Sequence, residues 1–247
     1  MSKILIANWK MNPKTLEEAK TLWLEYQKMS NFDNSIWSQI LVACPSIYFG
    51  YLEQSKEIIM TAQDVSSQEF GAFTGEISAR MISSIGVNHV LIGHSETRMN
   101  QQYSNLVVAQ KVTQAISNNL QPIICVGYEP DINSQSTNLD ILREQIVTSL
   151  ASVALDEINE SSKPIFAFEP TWAIGTGLTP TIEQIEELTR FVKDVTLQEF
   201  NTSFQVLYGG SVNDKNIREL YSISNVDGFL VGGASLKLEV MSKIVAC

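Results

Sequence analysis

Glu169 is the one ionisable residue in the segment AFEPTWAIGTG at 167–177, lying between an apolar run and a loop punctuated by Gly175 and Gly177. A carboxylate so placed is either a structural charge paired at a strand end or a catalytic general base. Pro170 lacks an N–H and disfavours helix at the preceding residue, so the chain leaves the strand Pro164–Phe168 in an extended path and continues as a loop. Apolar Trp172, Ala173 and Ile174 in that loop predict a lid over a ligand.

His94 follows the apolar run Val90–Gly93 and precedes Ser95-Glu96-Thr97-Arg98, which reads as the first turn of a helix. An imidazole at a helix N-terminus disfavours its cation, so His94 is expected to act as a neutral hydrogen-bond donor; the alternative is a structural histidine. His89 falls within a strand-like run and is read as structural. Lys10 follows Asn8 and Trp9 at another strand end, where an ammonium can point into a cavity or remain a solvated surface charge. Asn8 itself is either a ligand contact or a satisfied structural amide. Gly209-Gly210-Ser211 and Gly232-Gly233-Ala234 could bring backbone N–H groups close to a phosphate. Together these groups point to acid–base chemistry on a small phosphorylated carbonyl compound, without a cofactor or metal.

Such residues need a scaffold that gathers strand ends. Apolar runs recur at 4–8, 39–43, 58–62, 88–92, 122–127, 164–168, 204–208 and 226–231, with amphipathic stretches between them. The alternation is β then α throughout. Eight such units in 247 residues predict an α/β fold, a closed (β/α)8 barrel forming a single domain over residues 1–247. An open doubly wound sheet is the alternative. In a barrel, chemistry collects at the C-terminal strand ends. Asn8-Trp9-Lys10, Gln63-Asp64, Gly93-His94-Ser95-Glu96, Glu169-Pro170 and both Gly pairs all fall there.

Composition narrows the partners. A formal net charge of −10 argues against nucleic acid or an anionic membrane as partner, since both need a basic face, and makes phosphate recognition a local matter. No apolar run approaches membrane-spanning length, and Met1–Trp9 lacks the pattern of a secretory signal, so a cytoplasmic location is expected. Cys44, Cys125 and Cys247 are widely spaced and read as reduced thiols.

NWKMN at 8–12, GAFTGEIS at 71–78, IGHSE at 92–96, EPTWAIGTG at 169–177, YGGSV at 208–212 and DGFLVGGASL at 227–236 resemble the triosephosphate isomerase family in order and spacing. The resemblance implies interconversion of dihydroxyacetone phosphate and glyceraldehyde 3-phosphate in glycolysis and gluconeogenesis. It assigns Glu169 as the base, His94 as the neutral electrophile and Lys10 as the cation facing developing charge. Asn8 becomes a substrate-contacting amide and Glu96 the acid paired with the lysine, while Gly175, Ser211, Gly232 and Gly233 hold the phosphate. It also implies a homodimer through the loop at 68–78, with Phe70, Phe73 and Thr74; two aromatics flanking Gly71-Ala72 in an exposed loop fit that expectation.

Some positions depart from the family's usual pattern. Thr97 and Tyr128 replace a common arginine and glutamate, Phe168 replaces a tyrosine, and Asp64 replaces an asparagine near the expected subunit interface, a change that would tie dimer stability to pH. Leu178-Thr179-Pro180 is an unusual lid end. A second reading therefore stands, a non-catalytic phosphate-binding barrel with an impaired lid.

Overall fold

The computed structural model describes residues 2–29, 33, 35–128, 138–154, 156, 158–173 and 180–247. Its eight strands are β1 (Lys3–Asn8), β2 (Trp37–Ala43), β3 (Ile58–Ala62), β4 (His89–Ile92), β5 (Gln121–Val126), β6 (Ile165–Phe168), β7 (Gln205–Tyr208) and β8 (Gly228–Val231). All neighbours pair in parallel, and β8 returns to β1 to close the barrel. The helices are α1 (Leu16–Lys28), α2 (Ala79–Ser84), α3 (Ser95–Asn100), α4 (Asn105–Ser117), α5 (Asn138–Leu150), α6 (Ile182–Phe200), α7 (Ile217–Tyr221) and α8 (Leu238–Val245).

The strands read as continuous apolar runs because both of their faces are buried. Ile4, Ile6, Leu41, Ile59, Leu91, Ile123, Ile165, Ala167, Leu207 and Leu230 form a cluster drawn from all eight strands, which fills the barrel. Their alternate neighbours, including Leu5, Ala7, Val42 and Phe166, join helix residues such as Leu22, Val112 and Ile146 in a second, outer cluster. The period of two therefore sorts each strand between two cores.

Local chemistry sets the helices. In α1 the Thr15 side chain accepts the Glu18 N–H, and Ala19, Leu22, Trp23 and Tyr26 bury one face. α6 begins with a capping box between Thr181 and Gln184 and buries Ile185, Thr189, Val192 and Val195. The strict alternation expected from the sequence does not hold in two places. β2 connects to β3 through only a 3₁₀ turn at Ser46–Tyr48, and β4 connects to β5 through two helices, α3 and α4. Pro45 introduces the first exception, and Ser104 caps the second helix of the other, its side chain accepting the Val107 N–H. Among the described residues no helix is long and apolar enough to cross a membrane.

The β1–β8 seam has its own fastening. A Cβ on Gly228 would stand 2.2 Å from the carbonyl oxygen of Ile4, so only glycine allows the two backbones to approach this closely. Buried Lys3 donates through Nζ to the carbonyls of Ile223 (2.7 Å) and Val226 (2.6 Å), in the connection that leads into β8. Its ammonium also lies over the rings of Tyr221 and Phe229, 5.0 and 5.8 Å from their centroids.

Candidate active site

Side-chain parity along the strands delivers the polar groups to one mouth. Ile4 and Ile6 point into the barrel, so Asn8 does too, at the C-terminal end of β1. By the same count Ile165 and Ala167 lead to Glu169, Leu207 to Gly209 and Leu230 to Gly232. The glycines at these last two positions leave space: a Cβ at 209 would lie 3.1 Å from Glu169 Cγ, and one at 232 would lie 3.1 Å from Lys10 Cε. The result is a cavity of about 590 Å³. Asn8, Lys10, His94, Glu96, Glu169, Ser211, Gly232 and Gly233 all line it.

Glu169 is 2% exposed, and two groups hold its carboxylate. The Ser95 N–H donates to Oε2 at 2.8 Å, and His94 Nε2 lies 3.1 Å from Oε1. His94 is the N-cap of α3, and its Nδ1 accepts the Glu96 N–H at 3.2 Å. An N–H aimed at Nδ1 makes that atom an acceptor, which puts the ring's proton on Nε2, facing the cavity.

Lys10 adopts a left-handed backbone conformation, φ 54°, uncommon for a residue with a side chain. Its N–H donates to Asn8 Oδ1 at 2.9 Å, and its Nζ donates to Glu96 Oε1 at 2.7 Å across the mouth. Buried hydrogen bonds tie this corner to the outer layers. Ser235 Oγ donates to the Asn8 carbonyl at 3.1 Å, and Tyr26 Oη donates to the Ser235 carbonyl at 2.7 Å.

Eight residues singled out in the sequence thus share one cavity: Glu169, His94, Lys10, Asn8, Glu96, Ser211, Gly232 and Gly233. Gly175 lies outside the described residues, as do Ile174, Gly177, Leu178 and Thr179 of the expected lid. After Pro170 the described chain forms a 3₁₀ turn, Thr171–Ala173, and resumes at buried Pro180. Two contributors stood at strand ends in the sequence with no role assigned to them. Ser95 acts through its backbone N–H, and Gln63, just beyond β3, reaches the Lys10 carbonyl through its side-chain amide at 2.8 Å. Among the described residues no three His, Cys, Asp or Glu side chains converge on a metal-sized site.

A family model described as Triosephosphate isomerase matches residues 3–247. The chain belongs to the triosephosphate isomerase family. It is 40% identical over 242 residues to the triosephosphate isomerase of Mycoplasma mobile, covering 96% of each chain. It is 37% identical to those of Amoebophilus asiaticus, over 94% of each chain, and Acetivibrio thermocellus, over 99% of this chain and 98% of the relative.

Within this triosephosphate isomerase framework the departures have visible settings. Thr97 donates through Oγ1 to the His94 carbonyl at 2.8 Å, adding a local tie to the N-cap. Half-buried Tyr128 packs its ring 6.5 Å from that of Phe168, so an aromatic contact occupies this corner of the β5 and β6 strand ends. Asp64 pairs with buried Lys111 at 2.8 Å and accepts the Tyr103 hydroxyl at 3.0 Å. Burial pushes the Asp64 carboxyl above its usual range, against the opposing pull of Lys111.

Proposed function

We propose that this chain interconverts dihydroxyacetone phosphate and glyceraldehyde 3-phosphate by proton transfer through an enediolate, as the name of its relatives implies. The observation that carries this reading is the convergence of Glu169, His94 and Lys10 on one cavity that Ser211, Gly232 and Gly233 also line. Glu169 is the base: its carboxylate removes the proton from the carbon beside the carbonyl and returns it to the adjacent carbon. His94 donates from Nε2 to the substrate oxygen that gains charge, and Lys10 adds a positive charge facing the same region. Asn8 contacts the substrate and holds the Lys10 N–H. Glu96 anchors the Lys10 ammonium. Ser211, Gly232 and Gly233, with Gly175 of the 170–180 loop, hold the phosphate; backbone N–H groups suit an anion in a chain of net charge −10.

The same reading makes the chain one barrel domain acting in glycolysis and gluconeogenesis in the cytoplasm, as a homodimer joined through the loop at 68–78. Support for the dimer comes from exposed apolar surface there. Phe70 is 77% exposed and Phe73 is 44% exposed, and Ile47, Met11 and Met81 are exposed as well. Nothing in the site or among the relatives favours a barrel that binds phosphate without turnover. Purified protein given glyceraldehyde 3-phosphate, with product coupled to a dihydroxyacetone phosphate-dependent dehydrogenase, should consume reduced nicotinamide at an enzyme-dependent rate. No turnover above the enzyme-free rate would overturn the assignment.

A further inference from the structure

Resting on the isomerase reading, we infer that Gln63 is a positioning residue that acts on the reaction through Lys10. Gln63 is the first residue beyond β3, two strands and 53 residues along the chain from the lysine. Its Nε2 lies 2.8 Å from the Lys10 carbonyl oxygen, 3.0 Å from the Ala43 carbonyl oxygen and 3.3 Å from Asn8 Oδ1. An amide nitrogen carries two hydrogens, so the two short contacts are the principal bonds and Asn8 shares one of them.

These bonds bear on one backbone unit. Lys10 sits at φ 54°, a conformation L-residues with side chains adopt only when their surroundings hold them there. Both of its peptide groups are clamped: its N–H by Asn8 Oδ1, and its C=O by Gln63. Asn8 is itself touched by Gln63, so a single side chain stabilises both halves of the clamp. The left-handed turn sends the lysine side chain past Gly232 to Glu96, with Nζ in the cavity. In an extended or right-handed conformation the same side chain would leave the Cα in a different direction. Gln63 thus fixes where the positive charge stands without touching the reacting atoms. The Glu169 carboxylate is held separately, by Ser95 and His94.

The test is a double-mutant cycle with two readouts. Glycerol 3-phosphate, an unreactive three-carbon phosphate, reports affinity by calorimetry, and glyceraldehyde 3-phosphate reports kcat and KM. Gln63→Met keeps the length and removes the donors; it should weaken glycerol 3-phosphate binding and lower kcat/KM by about tenfold, the effect of losing orienting hydrogen bonds. In a Lys10→Met background the same change should weaken binding less than about twofold, because its effect passes through the lysine. Full additivity in the two backgrounds, or unchanged affinity in Gln63→Met, overturns the inference. Should Gln63→Met not fold, Gln63→Glu, of equal length but without the N–H donors, carries the same comparison; failure of both to fold makes Gln63 a folding residue and also overturns it. Because glycerol 3-phosphate binding needs no turnover, this result is separate from the coupled assay of the isomerase reading.

Discussion

Glu169 and His94 hold each other: at 3.1 Å between Oε1 and Nε2 there is no space for a substrate oxygen between them. In the proposed reaction, a carbonyl that takes the Nε2 proton as its hydrogen bond displaces the Glu169 carboxylate, so that seating the substrate also frees the proposed base. Glu169→Gln keeps the shape but cannot accept a proton, so kcat should fall between about a hundredfold and ten-thousandfold. His94→Gln should lower kcat by a factor of about a hundred or more. Both variants should retain the wild-type far-ultraviolet circular dichroism, and near-normal turnover in either would remove that residue from the mechanism. Gly127, at the end of β5, offers a harsher case. A Cβ there would stand 1.9 Å from the backbone oxygen of Glu169, and backbone cannot swing aside as a side chain can. Gly127→Ala should cost roughly 3 kcal/mol or more, lowering Tm by about 6–12 °C, and should cut activity by disturbing the base's own strand end. A melting curve within 2 °C of wild type, on the order expected for a surface change, would refute the reading of that contact.

At the scale of elements, Lys3 fastens the connection from α7 to β8 onto β1, and burial pushes its ammonium down from 10.5 to about 8, with Asp227 opposing and Lys193 adding to the shift. A lysine whose folded pKa lies below its unfolded one penalises folding while charged. Below pH 8 both states hold the proton and the penalty is complete. Between pH 8 and 10.5 the unfolded chain binds more protons than the folded one, so stability rises with pH in that window. Tyr26 and Tyr208, whose hydroxyls burial pushes upward, work in the opposite sense above pH 10. Urea unfolding of wild type and Lys3→Met at pH 7.5 and 9.5 isolates the lysine: the wild type should gain on the variant at the higher pH, and parallel profiles would contradict the prediction.

The elements were largely legible in advance, for a physical reason. A strand buried on both faces must be apolar throughout, so the runs at 4–8 and 164–168 announced Lys3–Asn8 and Ile165–Phe168 within two residues. The stretch from Cys44 to Glu57 was less legible, because a short 3₁₀ turn buries too few side chains to impose a period. At the site, the charged and Gly-rich strand ends stood out by residue type. Ser95 did not, since a backbone N–H has no letter of its own. Gln63 was visible only as a polar residue after a strand; its contacts to residues 8, 10 and 43 depend on how β1, β2 and β3 lie side by side, which no local pattern encodes.

For the whole molecule, the net charge of −10 means that two copies repel at long range, so association must rest on local apolar contact. Sedimentation velocity at micromolar concentration should give a species of twice 27.5 kDa that Phe73→Asp converts to the 27.5 kDa monomer. A wild-type monomer under those conditions would end the dimer proposal. The closure of β8 on β1 has a different kind of consequence. A closed sheet presents no row of unpaired N–H and C=O groups for a stray chain to extend, but this protection begins only when residues 228–231 meet residues 4–7. During synthesis β1 is the first of the eight strands to be made and β8 the last, so the growing sheet has two open edges until β8 emerges. The interval between emergence of β7 and docking of β8 is therefore when this molecule is most exposed to aggregation, and the Lys3 and Gly228 seam is what brings it to a close.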